Sequence, residues 1–226
     1  MELEKIKKNI GYAAADLVQN QTTIGIGTGS TAFYFIERLG QRCQEGLKIQ
    51  AVCSSKKSQK QAFENHIKLI DINQITSIDL TVDGADEIDP LKQMIKGGGG
   101  ALVREKILAS TSKEMIVIVD ETKLVSKLGK CKLPVEILPF GYMPTIFKIE
   151  KVGYKGLIRK NPDDSLFVTD NGNFIFDIHF DQLRQNPKQD HETLLYIPGV
   201  VDTGFFFNLA GRVIIGFLDG QIVIQP

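Results

Sequence analysis

Thr22-Thr23-Ile24-Gly25-Ile26-Gly27-Thr28-Gly29-Ser30-Thr31 is the stretch that decides the fold. Its β-branched first half predicts a strand at Thr22–Ile26, and the apolar spacing that follows predicts a helix from about Thr31 to Cys43. Glycines in a strand-to-helix turn let backbone N–H groups face an anion, and the helix N-terminus adds partial positive charge. The stretch indicates a phosphate site at residues 28–31, although a tight turn capped by a serine or threonine would use the same residues.

This turn differs from the two common nucleotide-binding turns. The dinucleotide motif has a glycine where this chain has Ser30, and the nucleotide P-loop has a lysine before its hydroxyl residue that is missing here. Nucleotide binding is therefore disfavoured.

Helical periodicity alternates with short β-branched runs over the first 130 residues. Strands joined by crossover helices have this pattern, which predicts a parallel, Rossmann-like sheet. The other predicted helices are Glu4–Val18, Lys56–Glu64 and Ala101–Ala109. The other predicted strands are Ile49–Cys53, Lys68–Asp71, Leu80–Val82 and Met115–Val119.

Closely spaced prolines after Leu133 mark a domain boundary. The short strands predicted after this boundary indicate an antiparallel sheet, and we expect the fold class to be α/β with a smaller α+β, ferredoxin-like domain. We expect a Rossmann-like catalytic domain at 1–130 plus 204–226, and the small domain at 131–203, inserted before the C-terminal strands and contributing to subunit contacts. The predicted strands are Gly156–Lys160, Leu166–Thr169, Phe174–His179, Gly204–Phe207, Val213–Phe217 and Ile222–Ile224, with a hairpin turn at Asn171-Gly172-Asn173.

Composition excludes several classes of protein. The chain has 226 residues with 27 basic and 27 acidic side chains, so no net charge attracts it to nucleic acid or to an anionic membrane. Its apolar runs are shorter than the roughly 20 residues of a membrane-spanning helix, and the N-terminus lacks the apolar core of a secretory signal. Three cysteines without a C-x-x-C pair favour a reducing cytoplasm. No pair among His66, His179 and His191 has metal-ligand spacing, so we expect no metal.

An acidic turn, Asp83-Gly84-Ala85-Asp86-Glu87-Ile88-Asp89, follows a predicted strand. Ligands of open α/β sheets bind beyond the carboxyl ends of strands, so Asp83 and Asp86 are placed to handle sugar hydroxyl protons, with Gly84 and Ala85 leaving room for a ligand. An acidic turn that caps a helix stays an alternative. The spacing does not fit an EF-hand calcium loop.

Four consecutive glycines in Lys96-Gly97-Gly98-Gly99-Gly100 precede a predicted helix. Glycine loses much conformational entropy on folding, which makes a simple linker a poor explanation and favours a loop that wraps a ligand. Its N–H groups could stabilise an oxyanion beside the positive charge of Lys96.

Glu105 falls on the apolar face of the following helix, with Leu102, Leu108 and Ala109. Burial should raise its pKa from about 4.3 toward the range of an effective general base at neutral pH. Alternatively its carboxylate reaches solvent, or it pairs with Arg104 or Lys7.

Together, Gly25 to Thr31, Asp83 to Asp89 and Lys96 to Lys106 closely resemble the ribose-5-phosphate isomerase A family in order and spacing. The resemblance covers the whole chain and includes Val119-Asp120-Glu121-Thr122-Lys123 and Leu133-Pro134-Val135-Glu136. It implies reversible conversion of ribose 5-phosphate to ribulose 5-phosphate, a step of the non-oxidative pentose phosphate pathway, without a metal or organic cofactor. It also implies a homodimer or homotetramer.

The resemblance also implies roles for individual residues. Glu105 matches the general base that moves a proton between C1 and C2 through an enediolate, and Asp83, Asp86 and Lys96 match the residues that open the sugar ring and hold its oxygens. Lys7 coincides with a family lysine. The substrate-binding matches are Thr28, Gly29, Ser30, Thr31, Gly84, Ala85, Gly97, Gly98, Gly99 and Lys123.

Two positions depart from the family pattern. Gly100 stands where alanine is more usual, which predicts a looser loop. The segment Phe140–Tyr154 contains Pro144 and β-branched residues, so it is ambiguous where the family has a clean helix.

Two alternatives stay open. One is a sugar-phosphate-sensing domain without activity, and the other is a related enzyme such as an amino-sugar phosphate deaminase or a coenzyme A transferase. A sensor is usually attached to a DNA-binding helix pair, which we do not expect before residue 20. Neither alternative accounts for both Asp83 and Asp86 together with the glycine run.

Overall fold

The computed structural model describes residues 2–226, which form two compact units. Of the described residues, unit 1 comprises 2–85, 104–124 and 209–226, and unit 2 comprises 86–103 and 125–208. The helices are α1 Glu2–Asp16, α2 Ser30–Gln44, α3 Lys56–Glu64, α4 Leu102–Thr111, α5 Tyr142–Lys151 and α6 Pro187–Leu195. The strands are β1 Thr22–Ile26, β2 Ile49–Cys53, β3 Leu80–Asp83, β4 Glu87–Ile88, β5 Met94–Ile95, β6 Met115–Asp120, β7 Leu133–Ile137, β8 Lys155–Ile158, β9 Phe174–His179, β10 Val200–Thr203, β11 Phe205–Phe206, β12 Val213–Gly216 and β13 Ile222–Gln225.

Unit 1 is built on a six-stranded sheet in the order β13-β12-β6-β3-β1-β2. All neighbours in it are parallel except β12 and β13, which pair antiparallel at the edge. Parallel strands require crossover connections, and the helical segments between β1, β2 and β3 supply them. The predicted Rossmann-like parallel sheet is confirmed.

The core of unit 1 lies between this sheet and its helices. Every residue of β6 is buried, as expected for a strand of a parallel sheet with both faces covered. Ile10 and Ala14 of α1 and Phe35 and Leu39 of α2 pack in the same apolar cluster, because their spacing places them on one face of each helix.

Unit 2 contains an antiparallel sheet in the order β10-β7-β9-β8. Its chain order is β7-α5-β8-β9-α6-β10, which is the βαββαβ arrangement of a ferredoxin-like fold. The predicted α+β, ferredoxin-like character of the small domain therefore agrees with the structure. Helix α5 is regular despite Pro144, because proline in the first turn needs no intrahelical N–H partner, which resolves the ambiguity at 140–154.

A second sheet of unit 2 has the order β11-β5-β4. Phe205 pairs with Ile95, and Glu87 pairs with Ile95 on its other side. The sequence suggested that Gly204–Phe207 returns to the main sheet, but β11 pairs with β5, so only β12 and β13 do so. The domain boundaries therefore differ from the prediction. Unit 2 also contains 86–103, 125–130 and 204–208, which were expected in the main domain.

Two predicted strands are wrong. Lys68–Asp71 runs beside β2 through a single bridge between Ala51 and Leu69, and Leu166–Thr169 makes a single bridge between Lys160 and Leu166. Each is too short a pairing to continue as a ladder. The turn after the second segment is present, with the Gly172 N–H donating to the Thr169 carbonyl (2.9 Å).

Across residues 2–226, no helix combines the length and the apolar character that crossing a membrane would require.

Candidate active site

The order of the main sheet places one site-forming edge between β1 and β3. From β2 the parallel strands run β2-β1-β3-β6-β12, so the chain reverses its direction of progress between β1 and β3. Loops that leave such a switch point diverge and open a crevice at the carboxyl ends of the strands. The 27–31 turn follows β1 and Asp83 ends β3, so both occupy this crevice edge of unit 1.

The turn after β1 presents the N-terminus of α2. Gly29 is the N-cap of α2 and has φ 124°, a backbone conformation that residues with a side chain rarely adopt. Ser30 is the first helical residue. The alternative, a turn capped by a serine or threonine, is therefore wrong, because the cap position needs glycine's conformational freedom. Gly29 and Ser30 are exposed, whereas Thr31 is nearly buried. N–H groups of the first helical turn are available for an anion.

Thr28 is fixed by two serines that the sequence reasoning missed. Its Oγ1 lies 2.8 Å from Ser54 Oγ and donates to Ser55 Oγ at 2.8 Å. Ser55 also caps α3, where its side chain and that of Ser58 form a reciprocal capping box. The available signal was a Ser-Ser pair directly after β2, at the same sheet edge.

A cleft of about 310 Å³ opens beside this turn. Its lining includes Gly27, Thr28, Gly29, Ser30, Lys57 and Glu4. Glu4 accepts hydrogen bonds from Tyr34 (2.7 Å) and Lys7 (3.0 Å), and these two groups hold the pKa of Glu4 below its usual value. Lys7 therefore lies at the rim of the cleft, paired with Glu4 rather than with Glu105.

Asp83 is a buried carboxylate, only 1% exposed. Its Oδ1 accepts hydrogen bonds from the N–H groups of Thr28 (3.0 Å) and Gly84 (2.8 Å). Gly27 makes this arrangement possible, since a Cβ there would lie 2.0 Å from the Asp83 carboxyl carbon. The 27–31 turn and the acidic turn are thus joined directly across the β1–β3 switch point, with Gly84 and half-buried Ala85 following Asp83.

Glu105 lies in the first turn of α4 and is 4% exposed, which confirms its predicted burial. Leu108 and Ala109 on the same helical face are equally buried. Burial favours the neutral form of a carboxylic acid, so a raised pKa for Glu105 stays the prediction. Lys123 ends the short turn after β6, next to β3 in the sheet, and is half-buried.

In unit 2, Asp86 of the acidic turn is hydrogen-bonded to the glycine run. Its Oδ2 accepts a hydrogen bond from the Gly98 N–H (2.7 Å), and its own N–H donates to the Ile95 carbonyl (2.8 Å). A Cβ on Gly98 would lie 2.7 Å from Asp86 Oδ1, so only glycine allows this approach.

Lys96 is 2% exposed, an unusual environment for a lysine. Its N–H donates to the Gly204 carbonyl (2.8 Å), and its ammonium lies 5.5 Å from the centre of the Phe206 ring. Gly204 directly precedes β11 and Phe206 lies in it, so both contacts hold β11 beside Lys96 and the glycine run. The ring face favours the charged ammonium.

The glycine run is a tight turn rather than a loose loop. Gly97 has φ 97° and Gly100 has φ 82°, and the Gly100 N–H donates to the Gly97 carbonyl (2.9 Å). A Cβ on Gly100 would lie 2.5 Å from the Phe167 ring. The prediction that Gly100 loosens the loop is therefore wrong, because Phe167 fills the space beside it. Gly98 and Gly99 are exposed at the tip.

The predicted residues thus fall into groups within each unit. In unit 1, Thr28, Asp83 and Gly84 share one hydrogen-bonded cluster, with Gly29 and Ser30 at the adjacent helix N-terminus. In unit 2, Asp86 and Gly98 are bonded, and Lys96, Gly97 and Gly99 adjoin them in sequence.

The cysteines and histidines lie outside these groups. Burial raises the pKa of Cys53 to about 12 and also raises the pKa of Cys43, which makes both poor nucleophiles at neutral pH. His191 Nδ1 is hydrogen-bonded to Thr203 Oγ1 (2.7 Å). Among residues 2–226, no three His, Cys, Asp or Glu side chains are grouped in a way that could hold a metal ion.

The fold and these clusters define the chain as an α/β enzyme built to bind a small phosphorylated molecule and to move protons. Comparison with known proteins makes the class specific. Residues 50–220 match the family model described as Ribose 5-phosphate isomerase A (phosphoriboisomerase A). The chain belongs to the ribose 5-phosphate isomerase A family.

Named relatives are similar to the chain over nearly its whole length. The Ribose-5-phosphate isomerase A of Protochlamydia amoebophila is 56% identical, covering 97% of this chain and 95% of the relative. That of Bacillus mycoides is 48% identical, covering 95% of this chain and 97% of the relative.

Solved structures agree in fold. The ribose 5-phosphate isomerase of Plasmodium falciparum superposes with a TM-score of 0.95 at 38% identity, covering 98% of each chain. A D-ribose-5-phosphate isomerase solved in complex with phospho-erythronic acid superposes with a TM-score of 0.92 at 36% identity, again covering 98% of each chain.

Proposed function

We propose that this chain interconverts D-ribose 5-phosphate and D-ribulose 5-phosphate, a step of the non-oxidative pentose phosphate pathway. The relatives named Ribose-5-phosphate isomerase A match this chain over nearly its whole length. The observation that carries the chemistry is the burial of Glu105, a carboxylate 4% exposed in the first turn of α4. A desolvated carboxylate is suited to remove a proton beside a carbonyl at neutral pH.

The phosphate of the substrate would bind at residues 28–31. The N-terminus of α2 offers N–H groups and partial positive charge, and Ser30 and Thr28 add hydroxyls. Lys57 in the lining of the same cleft adds a cation. Lys123, Gly84 and Ala85 complete the proposed binding set of unit 1.

The proposed reaction begins when Asp83, Asp86 and Lys96 open the sugar ring and hold its oxygens. Glu105 then takes the proton from C2 of the aldose, and the electron pair forms the C1–C2 double bond of an enediolate with negative charge on O1. The O2 hydroxyl proton passes to O1, and return of the proton from Glu105 to C1, as the C2=O double bond forms, gives the ketose. Lys96 and the N–H groups of Gly97 and Gly99 would stabilise the enediolate charge, while the Gly98 N–H holds Asp86 in place.

The complex of one similar enzyme supports an enediolate. Phospho-erythronic acid, bound to that protein, is a phosphorylated sugar acid whose carboxylate carries charge where an enediolate would carry it. We propose that the reaction of this chain uses no metal and no organic cofactor, since proton transfer by Glu105 and charge stabilisation by Lys96 account for every step.

A sensor domain and an amino-sugar phosphate deaminase are not favoured. The relatives that match the chain over nearly all their length are named as isomerases. A deaminase or a transferase that used Glu105 as a nucleophile would form a covalent intermediate, whereas an isomerase exchanges substrate protons with solvent.

We propose that the chain acts as a homo-oligomer, a dimer or a tetramer, with unit 2 in the contact. Phe147 is 67% and Met143 60% exposed, and their spacing of four residues places them on one face of α5; Phe140, 93% exposed, lies in the turn just before this helix. Contiguous exposed apolar side chains commonly mark such contacts. Light scattering should give a mass above 25.1 kDa for the natural chain, and Phe147→Glu should lower it; a monomeric natural chain would refute this.

We propose a cytoplasmic location. The thiols of Cys43 and Cys53, outside any disulfide, suit a reducing compartment.

The deciding experiment measures ribulose 5-phosphate formed from ribose 5-phosphate in the presence of a chelator. We expect activity in the natural chain and a loss of roughly 10²–10⁴-fold or more in Glu105→Gln. The matched control is Glu114→Gln, the same change at the amino end of β6, where Glu114 pairs with Arg212 away from the proposed site. An inactive natural chain would instead favour a sensor or another substrate.

A further inference from the structure

Arg159, just after β8, is hydrogen-bonded to the backbone of the glycine run. Its Nη1 donates to the Gly97 carbonyl (3.1 Å) and to the Gly98 carbonyl (3.0 Å). Its Nε and Nη2 donate to the two carboxylate oxygens of Asp177, at 2.9 and 2.5 Å. The side chain is 9% exposed, so these bonds lie largely out of competition with water.

These hydrogen bonds fix the direction in which the N–H groups of the glycine run point. In a trans peptide the carbonyl and the following N–H point in opposite directions. Because the Gly97 and Gly98 carbonyls face Arg159, the N–H groups of Gly98 and Gly99 face away from it. The Gly98 N–H does so toward Asp86 Oδ2, 2.7 Å away.

Arg159 is itself held by two neighbours, Asp177 and Phe167. The carboxylate of Asp177 engages two of its nitrogens, and the Phe167 ring centre lies 5.5 Å from the guanidinium carbon. Phe167 also fills the space beside Gly100. The guanidinium therefore has little freedom to move if the glycine run shifts. Because its donors have a fixed planar geometry, the guanidinium determines the position of the glycine run.

Resting on the proposed function, we infer that Arg159 is a positioning residue for isomerisation. It holds the Gly98 N–H on Asp86 Oδ2, turns the Gly99 N–H to the side of the loop opposite Arg159, where the substrate oxygens would lie, and, through its charge at the two carbonyls, polarises those peptide groups. Both effects matter most when negative charge develops on the enediolate. Arg159 acts through the loop and has no proton to exchange in the reaction.

Lys132 provides a matched control. Its ammonium donates to the same carboxylate of Asp177, at 2.6 Å, and is 42% exposed. Within residues 2–226 it makes no hydrogen bond to the glycine run. Removing Lys132 therefore removes a cation from Asp177 and leaves the loop contacts of Arg159 in place.

The test compares Arg159→Ala, Arg159→Lys and Lys132→Met in the full chain. We expect Arg159→Ala to lower kcat about 10²-fold with a smaller change in KM. Arg159→Lys keeps a cation at Asp177, and so keeps the fold, but cannot reach the carboxylate and both carbonyls, so its kcat should also fall about tenfold or more. Lys132→Met should stay within about threefold of the natural kcat.

Two further readings separate positioning from simple stabilisation. Inhibition by inorganic phosphate should be unchanged in Arg159→Ala, because the proposed phosphate cleft lies in unit 1. Millimolar methylguanidinium should restore part of the kcat of Arg159→Ala and leave Lys132→Met unaffected.

The inference is overturned if Arg159→Ala or Arg159→Lys lowers kcat no more than Lys132→Met does, at equal midpoints of urea unfolding. It is also overturned if phosphate inhibition weakens in proportion to kcat. An inactive natural chain would overturn the proposed function and this role with it, whereas an active natural chain with a fully active Arg159→Lys would overturn this role alone.

Discussion

Replacing Gly27 by alanine tests whether Asp83 must occupy its observed place. Gly27 follows β1 and lies against Asp83 at the end of β3, where its N–H donates to the Val82 carbonyl (2.9 Å). The new Cβ would lie 2.0 Å from both the carboxyl carbon and Oδ1 of Asp83.

The size of the effect follows from that overlap. Nonbonded atoms of this kind rest about 3.5 Å apart, so Asp83 or the turn must move by about 1.5 Å. A shift of that size breaks the hydrogen bonds that Asp83 accepts from Thr28 and Gly84. Overpacking costs about 1–3 kcal/mol, and we expect the free energy of unfolding to fall by that amount. A misplacement of about 1 Å can reduce a rate about 100-fold, so kcat/KM should fall at least that far.

Gly25→Ala is the matched control. Gly25 lies two residues earlier, and a Cβ there would lie 1.9 Å from Oγ1 of Thr81, again on β3. Thr81 Oγ1 is bonded to Ser112 Oγ (2.6 Å), not to a predicted site residue. We therefore expect a similar loss of stability in Gly25→Ala, with kcat/KM of the folded protein within about threefold of the natural value.

The assay pairs urea unfolding, followed by circular dichroism, with initial rates corrected for the folded fraction. Equal kcat/KM in the two variants at equal stability would refute the reasoning, because Asp83 would then tolerate displacement. A Gly27→Ala variant as stable as the natural chain would refute the steric step.

The remaining predictions concern a helix cap and a buried ion pair. Ser55→Ala should lower the free energy of unfolding by about 1 kcal/mol, since the Ser55 side chain accepts the Ser58 N–H (3.1 Å) at the start of α3, and Ser55→Thr should retain most of it; equal urea midpoints for the alanine variant and the natural chain would contradict this. Burial disfavours the charge of Asp177, but hydrogen bonds from Arg159 and Lys132 outweigh it and hold the pKa of Asp177 below its usual value. Its contribution to stability is therefore present above about pH 4 and is lost as the pH falls through the lowered pKa, so the stability gap between the natural chain and Asp177→Asn should shrink in acid; a gap independent of pH would contradict it.

The main sheet was predictable where one segment carries its own pattern. The bounds of β1, β2 and α3 agree with prediction, because β-branched runs and helical spacing there are bounded by turn residues. Strand β9 likewise keeps its predicted bounds. Parallel order and the crevice at the β1–β3 switch point then follow from general rules of α/β folds.

Pairings between distant segments could not be predicted in the same way. The two-residue strands β4, β5 and β11 have too little sequence for a pattern, and β11 pairs with β5 across more than a hundred residues of chain. Strand β7 contains Pro134, which breaks the usual strand signal, yet its carbonyl accepts the Gly204 N–H (2.7 Å).

In the candidate site, too, residues with a local sequence pattern were predictable and residues that act across a long stretch of chain were not. Acids and glycines in unusual local runs could be found from sequence, because no ordinary turn or linker explains them. Ser54 and Ser55 left only the weak signal of a Ser-Ser pair after β2, and Arg159 left none, since it contacts Gly98 from 61 residues away. Nothing in the sequence around Arg159 distinguishes it from a surface arginine.

The four glycines illustrate why local sequence reveals a site before it reveals the site's geometry. The glycine run was expected to form a loop that wraps a ligand, and Gly100 to loosen that loop. Instead Gly97 and Gly100 adopt positive φ, Gly98 lets its backbone approach Asp86, and Gly100 leaves room for the Phe167 ring. Each glycine thus meets a demand made by another part of the fold, and Arg159 then fixes the carbonyls between them. The absence of side chains makes the loop closely packed rather than free, so its N–H groups can be preorganised for a developing negative charge.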